Sequence, residues 1–119
     1  MLRRSNFRDL LVWQKSKLLC LELYTLTNVF PNHEQYGITS QIRRAAVSMP
    51  TNIAEGHGRN SNADFARFLY ITLGSIRELE TLTEIAFALD YLQDEKDLLI
   101  KLDELARMVS SFINKLGTQ

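Results

Sequence analysis

The chain has 119 residues, 14 Lys+Arg against 14 Asp+Glu, a formal net charge of zero and a pI near 6.7. A content of 45% hydrophobic and 24% charged residues, with 5 Gly and 2 Pro, describes one globular domain and excludes a collagen-like, loop-rich or disordered chain. The single cysteine, Cys20, excludes a disulfide framework or a cysteine-built zinc site and fits a reducing, cytoplasmic setting.

Residues 1–8, with Arg3, Arg4 and Arg8, read as a basic N-terminal arm, and residues 9–117 as a single helical domain. Gln14, Lys15 and Lys17 interrupt the first apolar stretch, so no secretory leader or membrane span is expected. A first helix is predicted from about Asp9, its N-cap, to Val29, with Val12, Leu19, Leu23, Leu26 and Phe30 on one face. Phe30-Pro31 ends it, because proline disfavours the helical region for the residue before it. A second helix starts near Tyr36-Gly37 and steps through Ile38, Ile42, Ala45, Met49 and Ile53. Pro50 interrupts its backbone hydrogen bonding. Because the apolar pattern resumes in phase at Ile53, a kink is predicted rather than a split, and Gly56 and Gly58 are expected to stop the helix.

Ser61 is the predicted N-cap of a third helix reaching about Asp90, with Phe65, Leu69, Thr72, Ile76, Leu79, Thr83 and Ala86 on its core face. The fourth, about Asp94 to Leu116, repeats Leu98, Leu102, Leu105, Val109, Phe112 and Leu116 at coiled-coil spacing, with Gly117 as terminator. Four amphipathic helices with short connections predict an all-α, antiparallel up-and-down four-helix bundle. Helices 1 and 3 carry more apolar residues than one core-facing stripe requires, so a homo-oligomer using those two helices is expected.

Several segments carry a family resemblance. They are Asp9-Leu10-Leu11-Val12-Trp13-Gln14-Lys15, Phe30-Pro31, the run from Glu34 through Arg43-Arg44-Ala45-Ala46-Val47-Ser48-Met49-Pro50-Thr51-Asn52-Ile53-Ala54-Glu55-Gly56, Arg59, Phe68-Leu69, and Gly74-Ser75-Ile76-Arg77-Glu78-Leu79-Glu80-Thr81. Together they resemble, over about residues 7–116, the four-helix-bundle family encoded in intervening sequences of bacterial 23S ribosomal RNA genes. The resemblance implies an up-and-down bundle assembled as a ring-like homopentamer, with no established biochemical role for most members. A similar branch, the accessory proteins of diversity-generating retroelements, is basic and binds nucleic acid and a reverse transcriptase. The present chain departs from that branch in its neutral total, which lowers the expected strength of binding.

The neutral total is itself a cancellation. Residues 1–77 hold ten Lys/Arg and five acids, and residues 78–119 hold four and nine. Arg43 and Arg44, with Arg59 and the Arg3, Arg4 and Arg8 arm, are the candidate phosphate contacts, because an arginine fork bonds phosphate bidentately. The bland alternative pairs Arg43 and Arg44 with acids of helices 3 or 4. Gln41, Asn52, Glu55, Glu78, Glu80 and Thr81 form a second constellation, read as a structural polar network beside the backbone freed by Pro50. His33 and His57 are expected to be loop residues and Cys20 a small buried hydrophobe.

No Glu-x-x-His pair, phosphate-binding loop or nucleophile elbow is present, so neither an enzyme nor a metal or other cofactor is expected. The chain reads as a homo-oligomeric scaffold whose basic face binds RNA or DNA weakly. The alternative is a module that recruits a partner protein without nucleic acid.

Overall fold

Each of the four apolar repeats becomes a helix in a computed structural model that describes residues 6–117: α1 (Leu11–Thr27), α2 (Ile38–His57), α3 (Asn62–Ala88) and α4 (Lys96–Gly117), with short 3-10 turns at Phe7–Asp9 and Asn32–Glu34. Neighbours in sequence pack side by side, α4 closes against α1, and the diagonal pairs do not meet, which gives an up-and-down bundle of 52 × 22 × 19 Å. The α2–α3 seam is the most extensive and the α1–α4 seam the least. Among the described residues there is no strand.

The core stripes follow the sequence periodicity. Every predicted core position of α2 and α3 is buried, from Ile38 to Ile53 and from Phe65 to Ala86. In α4 the stripe drifts in its last turns: Ile113 is buried, whereas Phe112 and Leu116 are only partly buried. A helix of 3.6 residues per turn rotates away from a strict seven-residue repeat, and here it rotates Phe112 toward the loose α1 seam.

The helix ends differ from expectation in instructive ways. Asp9 is not the N-cap of α1. Asn6 instead accepts from the Arg8 N–H at 2.9 Å and closes the 3-10 turn, while Leu10 precedes α1 without a side-chain cap. Phe7 lies edge-on to Trp13, centroids 5.2 Å apart, which packs the turn against α1. Helix α2 is unbroken across Pro50 and also continues through Gly56, which is buried; the cap is Gly58, whose N–H reaches the Ala54 and Glu55 carbonyls. A Cβ on Gly56 would lie 2.6 Å from the Cβ of Phe68 and 2.9 Å from Cδ1 of Phe65, so this glycine permits close approach of α3 rather than ending α2.

Ser61 caps α3 as predicted, its hydroxyl accepting from the Asp64 N–H at 3.1 Å. At the other end of α3, Asp90 takes a φ of 65°, and the Tyr91 and Asp90 N–H groups bond the Ala86 and Phe87 carbonyls in a Schellman pattern.

Candidate nucleic-acid interface

Arg43 and Arg44 are consecutive, so α2 turns them to different surroundings. Arg43 points at the C-terminal end of α1. Its Nε donates to Thr27 Oγ1 at 2.9 Å and its Nη2 to Asn28 Oδ1 at 3.0 Å, and its guanidinium lies 4.8 Å from the Tyr24 ring centroid. A cation there complements the carbonyl-rich end of a helix. This partner set is not the acids of helix 3 or 4 that the bland alternative expected. Arg44 is exposed on the outer stripe of α2 with Ser40, Thr51 and Glu55. Arg59 follows α2, with its guanidinium 4.7 Å from the Phe68 ring centroid. Fifteen residues separate Arg44 from Arg59, about 20 Å at a rise of 1.5 Å per residue. At that separation the two do not share one pocket. Arg3 and Arg4 lie outside the described residues.

Charge compensation differs between the two halves of the chain. Among the described residues, the ion pairs made by Lys or Arg use cations of α3 and α4: Arg67–Asp64, Arg77–Glu80, Lys101 with Glu22 and Asp97, and Arg107–Asp103. Glu22 and Asp97 together hold the Lys101 ammonium above its ordinary value. On the α1–α2 side, Arg8, Lys17 and Arg43 lie instead over the rings of Phe7, Trp13 and Tyr24, and beyond α2 Arg59 lies over Phe68 of α3. A ring face holds a cation without neutralising it, so this side keeps its positive field.

The topology also sorts charge along the axis. The connections 28–37 and 89–95 share one end, which carries Glu34, Asp90, Asp94 and Glu95 against Lys96 at the start of α4. The opposite end carries Arg8, Arg59 and Lys115 against Asp9. Within the acidic end the two connections are latched: the Tyr91 hydroxyl donates to Glu34 Oε2 at 2.8 Å, and Glu34 Oε1 accepts from the Ile38 N–H at 3.2 Å. The Tyr91 hydroxyl, then the Ile38 N–H, hold the Glu34 carboxyl below the ordinary carboxylate range. A Cβ on Gly37 would collide with that carboxylate oxygen.

The six residues expected to form one polar network are not brought together. Asn52 donates to the Ser48 carbonyl and hydroxyl at 2.9 Å, Glu80 pairs with Arg77 at 2.8 Å, and the Thr81 hydroxyl donates to the Arg77 carbonyl within α3. Gln41, Glu55 and Glu78 are exposed. The polar seam that does join α2 to α3 uses Ser75 Oγ on Ser48 Oγ at 2.8 Å and Thr72 Oγ1 on the Met49 carbonyl at 3.2 Å. Both bonds reach the two residues that precede Pro50. Thr72 and Ser75, small polar residues three apart on an apolar face, were the signal in the sequence.

His33 is an exposed turn residue, 3.4 Å from the Tyr91 hydroxyl. His57, expected in a loop, is instead the last residue of α2, buried and edge-on to Phe65. Cys20 is partly buried against the core, and burial pushes its thiol up, away from a reactive thiolate. Among the described residues no group of three or more His, Cys, Asp or Glu is disposed to hold a metal ion, and no helix is long and apolar enough to cross a membrane.

Comparison with known proteins agrees with this architecture. The model of the 23S rRNA-intervening sequence protein family matches residues 8–111. A crystal structure of a protein of unknown function from the S23 ribosomal protein family of Bacteroides thetaiotaomicron superposes with a TM-score of 0.80 at 24% identity, covering 87% of this chain and 95% of that one. At that identity the likeness is one of fold. No curated protein matches.

Proposed function

The chain belongs to the 23S rRNA-intervening sequence protein family, and we propose that it is a cytoplasmic, non-enzymatic, homopentameric scaffold that binds RNA or another nucleic acid weakly through its α1–α2 side. The observation that carries the proposal is the uneven charge compensation. Arg67, Arg77, Lys101 and Arg107 of α3 and α4 are matched to acids, whereas Lys17 of α1 and Arg43 of α2 lie over aromatic rings and Arg44 stands exposed. Few phosphate contacts give weak, salt-dependent and largely sequence-independent binding.

Fluorescence anisotropy with a labelled single-stranded RNA oligonucleotide tests this. Binding at low salt should weaken steadily with added salt, and Arg44→Ala/Arg59→Ala should weaken it and flatten the salt dependence. No binding at low salt, or binding indifferent to salt, overturns the nucleic-acid reading. The acidic end favours the second reading, recruitment of a basic partner protein. A partner retained after nuclease treatment would support that reading.

A further inference from the structure

The turn after α1 and the first turn of α2 flank a hollow of about 190 Å³. Arg43, Thr39, Asn28, Asn32 and Gln35 line it, with Phe30 as an apolar wall. No Asp or Glu is among the residues that line it. Glu34 is near in the chain, but its carboxylate is engaged by the Tyr91 hydroxyl at 2.8 Å and the Ile38 N–H at 3.2 Å. At about 30 Å³ per water molecule, the hollow has room for about six, and so for a small group.

The polar groups of this hollow are placed but not all used. Thr39 is only 7% exposed, yet its hydroxyl makes no hydrogen bond with any described residue. A buried hydroxyl is ordinarily paired, because losing water without gaining a partner is costly. Thr39 is also the second residue of α2. Its N–H is therefore a first-turn donor with no acceptor in the helix, at the positive end of the helix dipole. One turn on, Arg43 is held by uncharged partners, Nε on Thr27 and Nη2 on Asn28. Its Nη1 donates to no described residue, and no described acid pairs with it. The carbonyl end of α1 is covered by donors: the Thr27 hydroxyl bonds the Leu23 carbonyl at 2.8 Å, and Arg43 Nη2 lies 3.4 Å from that of Tyr24.

We infer that this hollow binds a terminal phosphoryl group, as inorganic phosphate or on a small phosphate monoester. Arg43 Nη1, the Thr39 hydroxyl and N–H, and the amides of Asn32 and Gln35 come from α2 and from the turn before it. Donors from two elements suit a phosphoryl group with three acceptor oxygens better than a planar carboxylate with two. A helix N-terminus beside an unneutralised guanidinium also favours the more highly charged anion. Asp90, Asp94 and Glu95 at the same end of the bundle disfavour a polyanion, so the ligand is a small molecule and not a nucleic-acid chain. The inference stands apart from the RNA reading, which is tested at Arg44 and Arg59.

NMR titration of the 15N-labelled full chain with inorganic phosphate tests it, against sodium chloride at equal ionic strength. Phosphate should give saturable shifts of the Thr39 amide and the Arg43 Nε–H signal, and chloride should give none. Acetate should bind more weakly than phosphate. Thr39→Val keeps the side-chain shape and removes a hydroxyl with no partner in the chain, so its fold and melting temperature should hold. Its affinity for phosphate should fall about tenfold, the loss of one hydrogen bond to a charged group. Arg43→Gln should lose the saturable response; if that variant fails to fold, Thr39→Val still decides. An RNA oligonucleotide with hydroxyl ends, which carries phosphodiesters but no terminal phosphate, should leave the Thr39 amide signal in place. No saturable shift with phosphate, a Thr39→Val affinity equal to wild type, or equal binding of acetate overturns the site. A Thr39 shift by the hydroxyl-ended RNA that matches that of phosphate overturns the small-molecule assignment.

Discussion

Arg43 and Arg44 show how one residue of rotation divides structure from surface. Arg43 holds the end of α1 through two side-chain hydrogen bonds and a ring contact, so Arg43→Ala should cost about 1–3 kcal/mol, read as a fall in denaturant midpoint. Arg44→Ala, at an exposed position, should stay within about 0.5 kcal/mol of wild type while weakening RNA binding. The Glu34–Tyr91 latch has a pH signature. Because the folded state lowers the Glu34 pKa, its stabilisation is present above the ordinary value of 4.5 and is lost as pH falls through the lower folded value. The melting-temperature advantage of wild type over Tyr91→Phe should therefore hold near pH 6–7 and shrink below about pH 4.5. Neither contact was legible in the sequence. Arg43 and its partners are 15 or more residues apart, Glu34 and Tyr91 57 apart, and periodicity does not say which loop lies over which helix end.

Among the elements, two positions make opposite demands on the backbone. Gly56 lies where α3 packs directly on α2, so Gly56→Ala should cost about 1–3 kcal/mol by overpacking against Phe65 and Phe68, despite the better helix propensity of alanine. Asp90 sits in the left-handed region after α3, where glycine is at ease, so Asp90→Gly should raise stability by about 0.5–1 kcal/mol. Thermal melts of the two variants beside wild type check both signs. The helices themselves were legible because each core stripe repeats at helical spacing, and α2 and α3 match residue for residue. Their ends were less so. Asp9 is a good cap in sequence, but it ends the 3-10 turn that Asn6 closes and that packs Phe7 on Trp13, so α1 begins after Leu10 without a side-chain cap. Gly56 looked like a stop until the rings beside it were placed.

At the scale of the whole molecule, the neutral total resolves into an acidic end, a basic end and a side whose cations lie over rings or stand exposed. The sequence carried the plus-five and minus-five halves, but the direction of the separation needed the up-and-down topology. The exposed apolar residues expected on helices 1 and 3 are there, Leu11, Leu18 and Leu21 on α1 and Tyr70, Ile71 and Ile85 on α3. Repeated around a ring, the α1–α2 side would present several weak phosphate-binding surfaces at once, and a long RNA should bind more tightly than a short one by avidity. Native mass spectrometry of the wild-type protein with an RNA oligonucleotide at low ionic strength tests assembly and binding together. The account predicts a species of five 13.7 kDa chains carrying RNA. A single unliganded chain would contradict it.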